Sequence, residues 1–257
     1  MVFAVGFMDK FALASEQISR IISVRGFERA FDYMDMFWQG MICTLSISAL
    51  TVFFGFLLAL VLALMRLSRI MPLRGIVIAY VEFCRGTPLL VQIMLVFFFI
   101  FPIIEIFFGA LPKFMLFGFI PFDRFIPCVF ALSLNSGAYL SETIRAGIQS
   151  IDGGQTEAAR SLGLTQGQNM RHIILPQAIK NTLPAIANEF VTIIKESSIC
   201  YVIGVCEIMF TVAAVRGATF RNAEPLIIAT VLYFCMTFST SKIIAFFERR
   251  MSRGDKR

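Results

Sequence analysis

Glu189, Lys195 and Glu196 stand inside a run, residues 185–205, that is otherwise almost wholly apolar. Ionisable side chains at membrane depth are costly in hydrocarbon, so they face protein or water and mark a solute path or an internal ion pair. Lys195 lies ~16 Å beyond Pro184 at ~1.5 Å per residue, near the middle of a ~30 Å core. Asn135, on another apolar run, lies ~15 Å beyond Phe125 by the same count. The two depths coincide, and Asn135, Lys195, Glu196 and Ser197 are expected to line a polar chamber at mid-membrane. An ammonium beside a carboxylate suits the holding of a zwitterion, with no bond made or broken. A second reading stands beside it: Lys195 and Glu196 pair with other protein groups and only hold the fold. Adjacent residues on a helix point ~100° apart, so the two would meet different partners. Glu142 and Arg145, three residues apart at the far end of the Asn135 run, form either a local helix pair or a gate in the same path.

Catalysis finds no constellation here. His172 is the one histidine, and the six cysteines include no Cys-x-x-Cys pair. A nucleophile with its base, or a metal cluster, is therefore not expected. The cysteines read as small buried hydrophobes. No G-x-x-x-x-G-K-[ST] loop is present, so any ATP that drives the protein is hydrolysed by another chain. The net charge of +6 comes with no aromatic-basic platform. It is expected to set membrane topology and to meet lipid, not nucleic acid. A channel or an ion- or proton-coupled carrier is the alternative transport class, but it would show acidic or histidine relays through several spans.

The elements that position these residues follow from composition. Charged residues make up 16% of the chain, where soluble domains carry roughly a quarter. Mean hydropathy is +0.78 and the apolar runs are long and continuous, without the alternation of a barrel strand. The expected fold is an all-α polytopic membrane protein with five transmembrane helices. They run from Trp38 to just before Arg66, then over 88–104, 125–143, 185–205 and 225–247. Thr87 is the expected N-cap of the second span, with Pro88 at its first position. Residues 105–124 form a Phe-rich loop expected to lie flat on the membrane, and residues 216–224 a further loop. The basic segments 66–85, 145–180 and 249–257 fall on one side only if the span count is odd, which places the amino terminus outside and the carboxyl terminus inside. The division is an outer-side segment 1–35, a transmembrane domain 36–250 and a basic tail 251–257. Residues 15–22 are expected to form a short surface helix, and residues 1–10 lack the pattern of a signal peptide, so the amino terminus is expected to be retained.

One stretch departs from the apolar pattern. Residues 157–184 are a polar island between spans, and the loop that carries it covers about residues 152–183. Residues 156–162 read as a short helix stopped by Gly163 at the C′ position. Thr165 and Gln168 have capping-box spacing and start a second short helix that ends toward Pro176 and Pro184. Asp152, Gly153 and Gly154 are expected to break the chain before it. Two capped helices, the first carrying the small residues Ala158 and Ala159 that allow close approach, would make a rigid knob able to fit a groove on a soluble partner.

Glu157-Ala158-Ala159, then Gly163, then Ile174-Leu175-Pro176 resembles the EAA motif of ABC importer permeases. Residues 82–92, EFCRGTPLLVQ, look like a segment of the polar amino acid permeases (the histidine, glutamine and arginine type). Residues 137–148, GAYLSETIRAGI, and Leu175-Pro176-Gln177-Ala178 are similar to theirs as well. The resemblance covers about residues 38–250. It implies the type I ABC importer architecture in a bacterial cytoplasmic membrane. It also implies pairing with a second permease subunit, identical or related, two copies of an ATP-binding subunit that hold the ATP and Mg, and an extracytoplasmic solute-binding protein. This chain would bind no cofactor itself. The ATPase-coupling role of the family falls, by position, on Glu157, Ala158, Ala159, Gly163, Leu164 and Arg171. One departure is Lys195-Glu196-Ser197-Ser198, where the family commonly has Lys-Asp-Thr-Ser.

Overall fold

The computed structural model describes residue 17 and residues 22–254 except 67 and 69, with the backbone alone for 251–254. The expected surface helix over 15–22 lies outside the described residues apart from its positions 17 and 22. Helix α1 spans Val24–Phe31, α2 Met34–Arg66 and α3 Met71–Gly86. Helix α4, Leu89–Leu95, passes through a π turn, Val96–Ile100, into α5, Phe101–Phe108. A two-residue hairpin, β1 Met115–Leu116 and β2 Ile120–Pro121, precedes α6, Phe122–Gln149. The short helices α7, Gly153–Ser161, and α8, Gln166–Asn169, follow. Helix α8 runs through a second π turn, Met170–Ile174, into α9, Leu175–Glu196, and a 3-10 segment, Ser197–Ile203. Helices α10, Ile208–Thr219, and α11, Ala223–Gly254, complete the chain.

All five expected spans fall on long helical stretches. On length and apolarity alone three qualify: Met34–Arg66, Leu89–Phe108 and Ala223–Arg250. A fourth results if Gln166–Ile203 and Ile208–Thr219, bent by 48° between them, are one span. Helix α6 has a reason to be more polar than the rest. More than half of it is buried against other helices, including Ser133, Asn135, Ser136 and Ser141, so it meets protein where its neighbours meet lipid. Helix α2 lies along α6, and glycines set the approach. A Cβ on Gly55 would meet Ser136 Cβ at 3.2 Å, and one on Gly137 would meet Leu58 Cδ2 at 2.8 Å. The faces turned outward carry Phe53, Phe54, Leu57 and Val61 on α2 and Phe234, Phe238 and Phe246 on α11, which suit acyl chains.

Proline explains both π turns. Pro102 and Pro176 each stand two residues after a five-residue π turn. Proline has no N–H, and its ring crowds the carbonyl four residues back. Widening the preceding turn lets the helix continue; Phe101 N–H donates to Val96 O and Leu175 N–H to Met170 O, each five residues back. This corrects the expectation that the island ends at its prolines. The second short helix does not stop; it becomes the fourth span, through Pro176 and Pro184.

Three smaller corrections follow. Leu89 begins α4 one residue later than expected, and Thr87 does not cap it by accepting a backbone N–H. Thr87 Oγ1 instead donates to Phe83 O at 2.8 Å and accepts from Gln92 Nε2 at 2.8 Å. Residues 216–224 are mostly helix, since α10 reaches Thr219 and α11 starts at Ala223. The expected break falls at residues 150–152, one to two positions earlier than Gly153 and Gly154, which are already helical; Asp152 caps α7, its Oδ1 accepting from Gly154 N–H at 2.7 Å.

Candidate functional site

Helix α9 carries the ionisable residues. Lys195 lines a cavity of about 490 Å³ with Leu90, Ser198, Ile199, Tyr201, Val202, Met209 and Tyr233. Half of the lining residues come from the 3-10 segment, whose three-residue repeat stacks Ser198 with Tyr201 and Ile199 with Val202. The cavity is apolar with a few polar groups, one ammonium, two phenols and a hydroxyl, which is the make-up of a small-solute pocket. Lys195 is exposed and Glu196 half-buried. Glu189, two turns earlier on α9, accepts from Ser136 Oγ at 2.8 Å.

Of the residues expected to share a chamber, Lys195 alone lines this cavity. Asn135 is engaged elsewhere: its Nδ2 donates to Gln92 Oε1 at 3.0 Å and to Cys84 O at 3.4 Å. Gln92 Nε2 in turn donates to Cys84 O at 2.7 Å and Thr87 O at 3.0 Å. These amides close the carbonyls freed where α3 ends at Thr87 and Pro88, a use that depth counting does not reveal. Ser197 is buried and donates to Ile194 O at 2.9 Å. Glu142 sits at the other end of α6. It takes Arg145 at 2.9 and 3.0 Å and Arg66, from the end of α2, on its other oxygen. The local helix pair is thus present and is extended across two helices.

Sequence reasoning missed two groups. Tyr233, on the last span, reaches the cavity and donates to Glu207 Oε2 at 2.7 Å. Glu207 is fully buried and caps α10, accepting from Met209 N–H at 2.8 Å and Phe210 N–H at 2.7 Å. An acid followed by an apolar helix is a readable N-cap signal; the tyrosine 26 positions later is not.

The knob is built as its sequence implies. Gly163 has φ +80, and its N–H donates to Arg160 O at 2.9 Å while Leu164 N–H donates to Ala159 O at 3.0 Å. That is a Schellman ending for α7. Thr165 and Gln168 form the full capping box on α8. Asn169, buried, donates to Thr156 Oγ1 at 3.3 Å and ties the two helices together. Ala159 is buried and Leu164 half-buried, whereas Glu157, Ala158, Gly163 and Arg171 are exposed. Leu162, 80% exposed at the tip, is an apolar group that the sequence reading passed over.

The family model described as "Binding-protein-dependent transport system inner membrane component" matches residues 52–253. The arginine transport system permease protein ArtQ of Bacillus subtilis (strain 168) is 41% identical over 217 residues, 84% of this chain and 93% of that protein. The probable glutamine ABC transporter permease protein GlnM of the same organism is 36% identical over 224 residues, 87% of this chain and 97% of that one. A crystal structure described as an amino acid ABC transporter with histidines matches with a TM-score of 0.75 at 42% identity, over 87% of this chain and 98% of that chain. The inward-facing MetNI methionine ABC transporter matches at 0.65 with 20% identity, over 87% and 97%, a likeness of fold. With a lipid-facing helical bundle, a capped knob at one end and a match over most of its length, the chain belongs to the binding-protein-dependent transport system inner membrane component family, the permease subunits of ABC transporters.

Proposed function

We propose that this permease subunit of an ABC amino acid importer moves a polar amino acid inward along the cavity at Lys195, driven by a separate ATPase that grips the α7–α8 knob. The observation that carries the reading is the knob itself. Both its helices are capped, Asn169 ties them together, and Glu157, Ala158, Leu162, Gly163 and Arg171 are exposed among the described residues. A rigid, exposed, small-residue surface transmits displacement; a frayed loop would absorb it. Leu164 contributes by holding the turn, and Arg171 offers a cation to an acidic rim.

The partners follow from this reading. Two ATP-binding subunits hold the nucleotide and Mg, this chain binds neither, a solute-binding protein delivers the substrate, and a second permease subunit completes the pathway in the bilayer. The amino terminus lies outside and the carboxyl terminus inside, since Arg66, Arg145, Arg160 and Arg171 gather at the knob end of the bundle. Relatives named for arginine, glutamine and cystine support an amino acid as substrate. The ammonium of Lys195 takes the substrate carboxylate, while Glu196 and Glu189 lie on the same helix for its cationic groups. Asn135, Ser197 and Glu142 then border the path as scaffold.

Labelling tests the reading. Thr165→Cys, in a chain whose half-exposed Cys206 and exposed Cys235 are replaced by Ser, should react with an impermeant maleimide in inside-out vesicles only. The bound ATPase should block that reaction. Labelling of Thr165→Cys in intact cells would overturn the assignment.

A further inference from the structure

Two cysteines outside the cavity stand closer than packing requires. Cys128 Sγ and Cys200 Sγ are 2.7 Å apart, and both residues are fully buried. A disulfide bond is roughly 2.0 Å long, so the pair stands about 0.7 Å from bonding distance. Small apolar side chains serving only as filler would rest further apart. The two come from positions 72 residues apart, Cys128 on α6 and Cys200 in the 3-10 segment. No group of three or more possible metal ligands exists among the described residues, so the pair is not part of a metal centre.

The 3-10 segment gives the pair a consequence. The segment is the 3-10 ending of α9, joined to α10 by only four residues. It ends at Gly204, with φ +76, and leads into the 48° bend before α10. Ser198, Ile199, Tyr201 and Val202 of this segment form one wall of the Lys195 cavity. A shift of the segment against α6 therefore reshapes the cavity.

We propose that Cys128 and Cys200 form a disulfide under oxidation and that the bond fixes the cavity wall to α6, arresting transport. The oxidant is a low-molecular-weight disulfide, R–S–S–R. One cysteine thiolate attacks it and releases one RS⁻; the second thiolate then attacks the mixed disulfide and releases the other. Two cysteine thiols and one R–S–S–R thus give one protein disulfide and two R–SH, and the thiol protons leave with the released thiols. The effect on uptake rests on the functional reading above, whereas formation of the bond does not.

The test uses the complete transporter in membrane vesicles treated with the membrane-permeant 4,4′-dipyridyl disulfide. Trypsin cuts after Arg124, Arg145, Lys195 and Arg216, so the bond should appear by mass spectrometry as residues 125–145 linked to residues 196–216 through Cys128 and Cys200. Uptake should fall in proportion to the linked fraction and return with dithiothreitol. Cys128→Ala should transport as the unmodified protein does, form no link and lose its sensitivity. Cys200→Ser gives the same result from the other partner, which keeps the test intact should one variant assemble poorly. A saturating reagent that yields no such peptide, or a Cys43–Cys200 link in its place, overturns the pairing. A linked population that transports at the unlinked rate overturns the arrest and leaves the functional reading standing.

Discussion

Glu207 joins α10 to α11, and its removal has a cost that can be worked from the geometry. Its two oxygens accept from Phe210 N–H at 2.7 Å, Met209 N–H at 2.8 Å and Tyr233 Oη at 2.7 Å, with no solvent access. Glu207→Ala removes an N-cap, about 1 kcal/mol, and breaks the hydrogen bond of the half-buried Tyr233 phenol to a carboxylate, about 1–3 kcal/mol. The variant should therefore lose about 2–4 kcal/mol of stability, before any cavity left by the missing carboxyethyl group. Tyr233→Phe removes only the donor, and Glu207 keeps both backbone partners, so about 1–2 kcal/mol is expected. The two losses overlap because they count one shared bond. A double-mutant cycle on the purified protein in mixed micelles, unfolded by added SDS, should give a coupling of about 1–2 kcal/mol between the sites. Losses that add to within about 0.5 kcal/mol would show that the bond contributes nothing and would refute the reasoning.

Two further predictions separate scaffold from pathway. Gly163→Ala meets no neighbour, since nothing lies within 4 Å of its added Cβ, but φ +80 should cost it about 1–2 kcal/mol of local stability. Faster amide exchange over residues 153–164 and weaker substrate stimulation of the partner ATPase should accompany it; wild-type exchange would refute the Schellman account. Lys195→Met should abolish uptake while leaving assembly and basal ATP hydrolysis intact. Asn135→Ala should instead lower stability by about 1–3 kcal/mol, because Gln92 loses a buried donor, with little change in substrate KM. The reverse pattern would return Asn135 to the substrate path.

Local chemistry was legible wherever a residue acts on its own neighbourhood. The Gly163 stop, the Thr165–Gln168 box and three of the five expected spans needed only nearby residues, because caps and membrane burial depend on local spacing and composition. The family resemblance rested on the same contiguous motifs. Proline was misread where a local rule has a tertiary exception. Taken alone it ends a helix, but a preceding π turn shifts the backbone pairing past the missing N–H, so α8 and α9 continue through Pro176.

Partnerships across the fold were decided by tertiary structure alone. Depth counting put Asn135 and Lys195 at one level, but level says nothing of azimuth, and the packing of α6 turned Asn135 toward Gln92. Tyr233 reaches Glu207, and Cys128 reaches Cys200, across 26 and 72 positions that no pattern links. The sequence determined which segments lie in lipid and which lie in water, because transfer free energy is a sum over residues. The structure decided which polar groups meet, because a hydrogen bond depends on direction and distance between helices, and those are set by glycines and packing far along the chain.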